Sequence, residues 1–316
     1  MIGYVARRLL QLLPVLLIGS VGIWAMIYAV PGGPVGLIVG ENASQAQIDA
    51  VTEELGLNDP VMVQYGRWLS GAVTGDLGTS IQSGNETVVS LIASRIPATM
   101  QLGFMAIFIG LILSIPLAII SARWPGSLPD RLISGYAALV LGVPTFWLGI
   151  LFILFFSVRL GFLPAASSFI PIWEQPVQAI KMTLLPAATL GIYTSGIFVR
   201  FLRASLLSEL RSDYVRTAHS KGVRHRLVLI RHVLRNALLP FVTVVGLQTG
   251  NFIGGAVVTE AVFTYPGLGR MLIQAIGTRD YPLIQGTILV VLVLYVVVNV
   301  IVDVVYAYLD PRIQYS

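Results

Sequence analysis

Six long apolar segments constrain the fold of this chain more than any other feature of its sequence. A helix that crosses a bilayer needs about 20 predominantly apolar residues. The segments that reach or approach this length are Leu9–Val30, Met100–Ile120, Leu132–Val158, Leu184–Leu202, Leu238–Phe263 and Ile284–Leu309. Only 11% of the 316 residues are charged, against about 25% in soluble domains. The sequence therefore predicts an all-α integral membrane protein with six transmembrane helices. The fourth segment is the weakest, because it is short and ends in Arg200 and Arg203.

The distribution of cations sets an orientation for these segments, because membrane proteins keep an excess of Lys and Arg in their cytoplasmic loops. With the N-terminus inside, the cytoplasmic cations are Arg7, Arg8, Arg123, Arg131, the nine from Arg200 to Arg235, and Arg312. Those on the opposite side are Arg67, Arg95, Arg159, Lys181, Arg270 and Arg279. We therefore expect both termini to lie in the cytoplasm. The net charge of +5 is read as a topology signal and not as a nucleic-acid surface, since the cations flank apolar segments.

The external segment between the first two spans has about 70 residues, which is too long for a simple connector. It carries two predicted helices. The first follows a capping-box pattern at Ser44-Gln45-Ala46-Gln47 and stops at Gly56. The second begins after Asp59-Pro60 with apolar residues at helical spacing. Two interpretations stay open: a small cap packed on the outer membrane face, or a docking surface or lid for a substrate-delivery protein.

A basic segment between the fourth and fifth spans is predicted to form two short helices broken at Gly222. The first helix runs over Asp213–Lys221, with Ser212 as its cap, and Gly222 suits a left-handed helix stop. The second stretch runs to Pro240. The cations of the segment are Arg216, Lys221, Arg224, Arg226, Arg231 and Arg235. They exclude it from hydrocarbon, so a firm helical knob on the cytoplasmic side is expected to meet a soluble partner. A helix resting on lipid headgroups is the alternative, which the basic charge supports and the glycine break does not.

Motifs for catalysis are missing from the sequence. The chain has no cysteine, which excludes disulfides, thiolate catalysis and Cys-metal sites. It has no Gly-x-x-x-x-Gly-Lys-Ser/Thr phosphate loop, no His-Glu-x-x-His and no Gly-x-Ser-x-Gly elbow. His219, His225 and His232 lie among cations with no carboxylate between them, which disfavours a metal site. We expect a chain that is not an enzyme and does not hydrolyse ATP itself.

Polar residues inside the spans are few. Glu260 and Asp303 each lie near an end of a span, whereas an ion-coupled carrier needs ionisable groups near the midplane. Energy coupling from another chain is therefore the better hypothesis. Gln248 and Asn251 are three residues apart and share a helix face. They are read either as interhelical hydrogen-bonding groups or, with Glu260, as a candidate substrate path.

The basic segment also carries a family resemblance. Thr217-Ala218, with Gly222 four residues after the alanine and Arg235-Asn236-Ala237-Leu238-Leu239-Pro240 downstream, resembles the "EAA" loop of ABC-importer permeases. The dipeptide/oligopeptide/nickel group is the most similar branch. Arg216 stands where the general pattern has Glu, and Gly33 stands where the motif after the first span usually has Asp. Further matching motifs are Pro31-Gly32-Gly33-Pro34, Leu55-Gly56-Leu57, Gly75-Asp76-Leu77-Gly78, Arg95-Ile96-Pro97-Ala98-Thr99, Val258-Thr259-Glu260-Ala261-Val262-Phe263, Tyr265-Pro266-Gly267-Leu268-Gly269, Arg279-Asp280-Tyr281-Pro282 and Leu309-Asp310-Pro311-Arg312.

The resemblance implies a type I ABC-importer permease-like fold in the bacterial inner membrane. It implies three kinds of partner besides lipid and no nucleic acid: a second homologous permease, two ABC ATPase subunits and an external solute-binding protein. ATP and Mg²⁺ would be bound by the ATPase subunits, with no cofactor or metal in this chain. The residues that match the ATPase-coupling loop are Asp213, Tyr214, Arg216, Thr217, Ala218, Lys221 and Gly222.

The same resemblance suggests a division of the chain and a cargo. We expect the first span and external segment in residues 1–98, and a five-helix core in 99–309 with its cytoplasmic coupling loop at 203–237. Residues 310–316 form a cytoplasmic tail. The expected cargo is a dipeptide, an oligopeptide or a related solute, with nickel and glutathione as alternatives within the family. A self-contained secondary carrier is the alternative from another class.

Overall fold

The computed structural model describes residues 2–29, 44–54, 56–84 and 86–309. Over these ranges the regular structure is helical, with one isolated bridge between Thr79 and Thr87. The helices are α1 (Ile2–Ala25), α2 (Gln45–Glu54), α3 (Val61–Thr74), α4 (Val88–Arg123), α5 (Leu128–Gly142), α6 (Thr145–Phe152), α7 (Pro176–Glu209), α8 (Asp213–Ser220), α9 (His225–Leu227), α10 (Leu234–Val262), α11 (Leu268–Thr278) and α12 (Tyr281–Leu309). A 3-10 turn, Met26–Ala29, follows α1, and π-helical turns, Ile153–Arg159 and Val228–Val233, follow α6 and α9. The all-α prediction is confirmed.

Several predicted features lie outside the described residues. They are the motif Pro31-Gly32-Gly33-Pro34, Leu55 of the external segment, and the tail 310–316 with Arg312.

The described residues contain four helices that are long and apolar enough to cross a membrane. They are Val88–Arg123, Pro176–Glu209, Val228–Phe252 and Tyr281–Val304. A bent pair, α5 with the helix Thr145–Arg159, makes a fifth span if its two arms are counted together. The apolar part of α1 for which side chains are described, Leu10–Ala25, is shorter than a full span. The six-span count therefore stays a prediction.

The third predicted span, Leu132–Val158, is not one continuous helix. Its two arms meet at an angle of 101°, and the break falls at Val143-Pro144. A residue that precedes proline is pushed out of the α region by the proline ring, and Val143 is accordingly extended, with φ −93° and ψ 127°. Pro144 within the apolar segment indicates a kink at this position, whereas the apolar pattern around it does not.

Contacts divide the chain into two compact units. One contains Met1–Pro97 and Gly267–Val296, and the other contains Ala98–Pro266 and Val297–Ser316.

The second unit is organised around α7, which packs against α5, α6 and α10. Small residues let a further helix approach closely: a Cβ on Gly191 of α7 would lie 2.7 Å from the carbonyl oxygen of Ala106 on α4. Close backbone contact of this kind is typical of helices packed in membranes. Two turns further along α7, Phe198 packs edge-to-face on Phe241 of α10, with ring centroids 5.4 Å apart.

The first unit has its own apolar core and a buried carboxylate. The core residues are Val88, Ile92, Leu268, Met271, Ala275, Leu283 and Ile284. Asp280 precedes α12 and is 1% exposed. It accepts hydrogen bonds from the Ser80 hydroxyl and from the backbone N–H groups of Gln82 and Leu283. The carboxylate thus caps α12 and holds the 80–82 loop against the helix start.

The external segment contains both predicted helices, α2 and α3. Gly56 has φ +63°, as a left-handed stop after α2 requires. Arg67 and Asp59 form an ion pair at 2.5 Å across the start of α3. Carbonyl groups at the end of α1 also find a hydrogen-bond donor within this unit. The Gln285 amide donates to the carbonyls of Ile23 and Trp24 at 3.2 and 3.1 Å.

Candidate functional site

The predicted coupling helix is present as α8, Asp213–Ser220. Ser212 occupies the N-cap position, but its hydroxyl donates back to the Glu209 carbonyl at 2.5 Å and makes no cap bond to α8. The predicted side-chain cap is therefore wrong, because the hydroxyl bonds instead to the Glu209 carbonyl, which also accepts the Ser212 N–H. Asp213 lies in the first turn, where the helix dipole stabilises a negative charge.

The end of α8 is closed by a Schellman motif at Gly222. The glycine has φ +76°, and its N–H bonds to the His219 carbonyl at 2.9 Å. The next N–H, of Val223, reaches back to the Ala218 carbonyl at 3.2 Å. This pair of bonds defines the motif, so the predicted left-handed stop at Gly222 is observed.

One face of α8 is fixed to the apolar core of the second unit. Val215 is 3% exposed, and Ala218 and Val223 pack against the same core. We call this core the docking cluster. Its buried members besides Val215 are Ala118, Ala122, Phe198, Leu202, Leu206, Val228, Leu229, Val233, Ala237 and Phe241. The cluster thus joins α8 to α4, α7, the second π turn and α10.

The opposite face of α8 is open to solvent. Its exposed residues are Asp213, Arg216, Thr217 and Lys221, which we call the outer face of α8. Arg216 and Asp213 approach to 3.8 Å while their side chains are 82% and 98% exposed. Such a pair contributes little to stability, so these charges remain available for a partner surface.

Tyr214 ties α8 to the end of α7. Its hydroxyl donates to a Glu209 carboxylate oxygen at 2.6 Å. Partial burial raises the pKa of the Tyr214 phenol, and the bond to Glu209 raises it further. The phenol therefore keeps its proton, and the hydrogen bond, throughout the physiological pH range.

The stretch after Gly222 differs from the predicted short helix. Helical structure runs from His225 through the π turn Val228–Val233 into α10, and Pro240 lies inside that helix. Proline deprives one carbonyl of its helical donor. One residue beyond that carbonyl, the Ala237 carbonyl accepts a bond of 3.0 Å from the Ser205 hydroxyl of α7. The coupling segment is therefore continuous with a candidate span.

The candidate substrate-path residues fall in two places on α10. The Asn251 amide donates to the Gln248 side-chain oxygen at 3.0 Å, with Asn251 exposed and Gln248 partly buried. Glu260 lies about 14 Å further along the helix axis and is fully buried. The structure brings Gln248 and Asn251 together and sets Glu260 apart from them.

Glu260 belongs to a buried polar cluster that sequence reasoning did not find. It accepts a bond of 2.7 Å from the Thr99 hydroxyl of α4. On the same helix, the Gln101 amide donates to the Ile170 carbonyl at 3.0 Å, and its oxygen accepts from the Ile172 N–H at 3.1 Å. These bonds fasten the loop between α6 and α7. Two polar residues at the start of an apolar span were the only sequence signal.

Tyr265 lies in the same cluster with a buried hydroxyl. Burial raises the pKa of Tyr265 to about 12, the charge of Glu260 adds to the rise, and nearby Thr183 and Gln101 oppose it. Among the described residues, none bonds to this hydroxyl in ordinary hydrogen-bond geometry. The part of the chain that the structure describes also contains no group of three His, Asp or Glu side chains placed to hold a metal ion.

Two family profiles cover nearly the whole chain. Residues 1–103 match the N-terminal part of the binding-protein-dependent transport system membrane component. Residues 114–315 match the binding-protein-dependent transport system inner membrane component. The chain belongs to this family of transport components. It is accordingly a multi-pass membrane subunit of an ABC importer, and not an enzyme.

Individual relatives agree with this family. The dipeptide transport system permease protein DppB of Alkalihalophilus pseudofirmus is 39% identical over 338 residues, covering 100% of each chain. The glutathione transport system permease protein GsiC of Escherichia coli O6:H1 is 40% identical over 316 residues, again covering 100% of each chain.

Solved structures agree on the fold. A chain of the MetNI methionine ABC transporter in an inward-facing conformation aligns with a TM-score of 0.58 at 16% identity, covering 70% of this chain and 96% of that one. A chain of an amino acid ABC transporter aligns with a TM-score of 0.52 at 17% identity, covering 71% and 94%. The importer-permease fold predicted from the coupling loop is confirmed.

The unpartnered Tyr265 hydroxyl gives a stability prediction. A buried hydroxyl without a partner costs about 1–3 kcal/mol, so Tyr265→Phe should leave stability unchanged or raise it by up to about 1 kcal/mol. The matched control is Tyr136→Phe, since the Tyr136 hydroxyl shares a bond of 2.6 Å with Ser195. That control should lose about 1 kcal/mol. Unfolding of the purified variants in detergent measures both, and an equal loss in both would show that Tyr265 has a partner.

Proposed function

We propose that this chain is the permease subunit of an ATP-driven importer that carries small peptides across the bacterial inner membrane. The full-length likeness to a dipeptide permease and to a glutathione permease supports this class of cargo. Glutathione is itself a tripeptide, so both relatives point to short zwitterionic peptides. A glutathione importer is the specific second candidate, favoured by the 40% identity to GsiC.

The complete importer, in this proposal, contains a second homologous permease, two ATPase subunits and an external solute-binding protein. ATP and Mg²⁺ are bound by the ATPase subunits. Residues 99–309 act as the transport core with the coupling loop at 203–237, residues 1–98 supply the first span and external segment, and 310–316 form the tail. Both termini lie in the cytoplasm, as the excess of Lys and Arg on that side favours.

Energy enters through α8. The observation that carries this step is the two-sided character of the helix, with Val215 buried in the docking cluster and the outer face exposed. A lever must be fixed on one side and accessible on the other. An ATPase subunit that holds the outer face therefore moves α7 and α10 through the docking cluster. Tyr214 and the Gly222 stop keep the lever at a set angle.

Gly222→Val tests this step. A left-handed conformation costs a residue with a Cβ roughly 1–2 kcal/mol, so valine at a φ of +76° should turn α8 away from its partner. We expect assembly of the complex or substrate-stimulated ATP hydrolysis to fall, and ATP-dependent uptake with it. Gly161→Val is the matched control, because Gly161 has φ +65° and open space around it but lies far along the chain from α8. Equal coupling in the two variants would contradict the proposal.

Gln248 and Asn251 form part of the substrate path in this proposal. Peptides carry both charges, so a path with neutral polar walls binds them weakly enough for release. Gln248→Ala with Asn251→Ala should raise the substrate concentration needed for half-maximal uptake by roughly tenfold, the effect of about 1.4 kcal/mol. Thr249→Val is the control on the same turn, since its hydroxyl bonds only within the helix, to the Val245 carbonyl at 2.8 Å. Unchanged uptake kinetics with lower stability would make the pair packing groups.

A further inference from the structure

A partly buried ion pair at the start of the coupling loop, outside α8, joins α5 to α7. Arg203 of α7 holds Asp130 of α5 with two bonds, Nε to Oδ1 and Nη2 to Oδ2, each of 2.8 Å. The side chain of Asp130 is 6% exposed and that of Arg203 is 29% exposed. A two-pronged guanidinium–carboxylate contact fixes the relative orientation of the groups as well as their distance.

Two further donors complete the shell of the Asp130 carboxylate. The Ser121 hydroxyl, near the end of α4, donates to Oδ1 and also accepts from the Arg203 Nε at 2.8 Å. The backbone N–H of Gly126, in the turn between α4 and α5, donates to Oδ2 at 2.7 Å. One carboxylate thus gathers α4, the following turn, α5 and α7.

The pair lies on the same stretch of α7 that receives α8. Leu202 and Leu206 flank Arg203 in sequence and are both fully buried in the docking cluster with Val215. Helix geometry places Arg203 about 100° around the axis from Leu202. The same turns of α7 therefore contact the coupling helix on one side and hold α5 on another.

Apolar packing joins α5 and α7 next to the pair, through Ile133 and Ala137 of α5 and Val199 of α7, all buried. An open pocket of about 230 Å³ lies beside this contact and is lined by Ser134, Ala137, Ala138, Val199, Arg200 and Arg203. The ion pair adds a directional connection to the apolar one, because its two bonds fix the orientation of the groups.

We propose that Asp130 and Arg203 are positioning residues of the transport cycle, which clamp α5 to α7 so that displacement of α8 reaches the bent helix pair. This inference rests on the proposed function of α8. Because α5 leads directly into the 101° bend and α6, the clamp fixes the angle at which rotation of α7 reaches the bend. Without the clamp, apolar packing still joins the two helices, but α5 is no longer held at one orientation to α7.

The test uses the complete importer in proteoliposomes, with its ATPase subunits and binding protein. Asp130→Asn, Arg203→Gln and the double variant are compared with wild type for two rates: ATP hydrolysis, and uptake of radiolabelled glycyl-leucine or of glutathione, whichever wild type accumulates. Uptake per ATP hydrolysed should fall on the order of fivefold in each single variant, within the range for residues that carry coupling. The double variant should be no worse than the singles, because the same contact is lost once.

Arg131→Gln is the matched control. Arg131 adjoins Asp130 and is exposed, so its loss removes one cation from the same helix end, keeps both bonds of the pair and should leave the ratio unchanged. Arg203→Lys keeps the charge but not the two-pronged contact. Its uptake per ATP hydrolysed should lie between the values of wild type and of the neutral variants. It carries the test if the neutral variants fail to assemble.

The outcomes separate the two proposals. A wild-type importer that shows no ATP-dependent uptake of either probe overturns the proposed function. If wild type couples uptake to ATP hydrolysis, but in the clamp variants the two rates fall in parallel or not at all, only the clamp proposal is overturned. A selective fall in uptake per ATP, absent in the Arg131 control, supports it.

Discussion

The burial of Val215 in the docking cluster is the contact on which the coupling loop depends. An isolated helix of eight residues is not stable in water, because nucleation is costly and few bonds repay it. The Schellman motif at Gly222 determines where α8 ends. Packing against the docking cluster is what makes the helix stable enough to form. Burial of one valine contributes about 1.5–3 kcal/mol, and the neighbouring Ala218 and Val223 add to this. The rigidity that the proposed coupling role requires of α8 thus comes from the apolar core on which the helix packs.

Polar groups in the second unit are used sparingly and in fixed places. Two of the buried polar groups among the described residues lie around Asp130 and Arg203 and around Glu260 and Gln101. Each connects a long helix to a loop or turn. In a membrane, where apolar contacts between helices gain nothing over contacts with lipid, such bonds and close backbone approaches specify which helices meet. Gly191 is an example of a close backbone approach between helices, and the Asp130 carboxylate is an example of a hydrogen-bonding group that selects a partner helix.

The features that sequence predicted well are those with a local cause. Gly222 and Gly56 adopt the left-handed conformation that ends a helix, and the cause is local because glycine reaches this conformation without the steric cost of a Cβ. The external helices α2 and α3 form where their spacing and turn residues indicated. The family followed from short motifs in a fixed order. Local chemistry was sufficient in each of these cases.

The features that sequence missed depend on partners distant in the chain. The Ser212 hydroxyl bonds to the end of α7, and the helix after His225 continues through Pro240, close to which the Ser205 hydroxyl of α7 bonds to the Ala237 carbonyl. Asp130 meets Arg203 across 73 residues, and neither position carries a signal by itself. The bend at Val143-Pro144 is different, because the proline indicates a kink and only the angle of the bend could not be read from the sequence.

Photo-cross-linking from the outer face of α8 tests most directly whether ATPase subunits drive this chain. A benzoylphenylalanine placed at Thr217, which is exposed, should cross-link to an ATPase subunit in the assembled importer. The same probe at Met62 of α3, which is 81% exposed, should not reach that subunit. An importer that accumulates peptide while Thr217 gives no such cross-link would contradict the coupling role of α8.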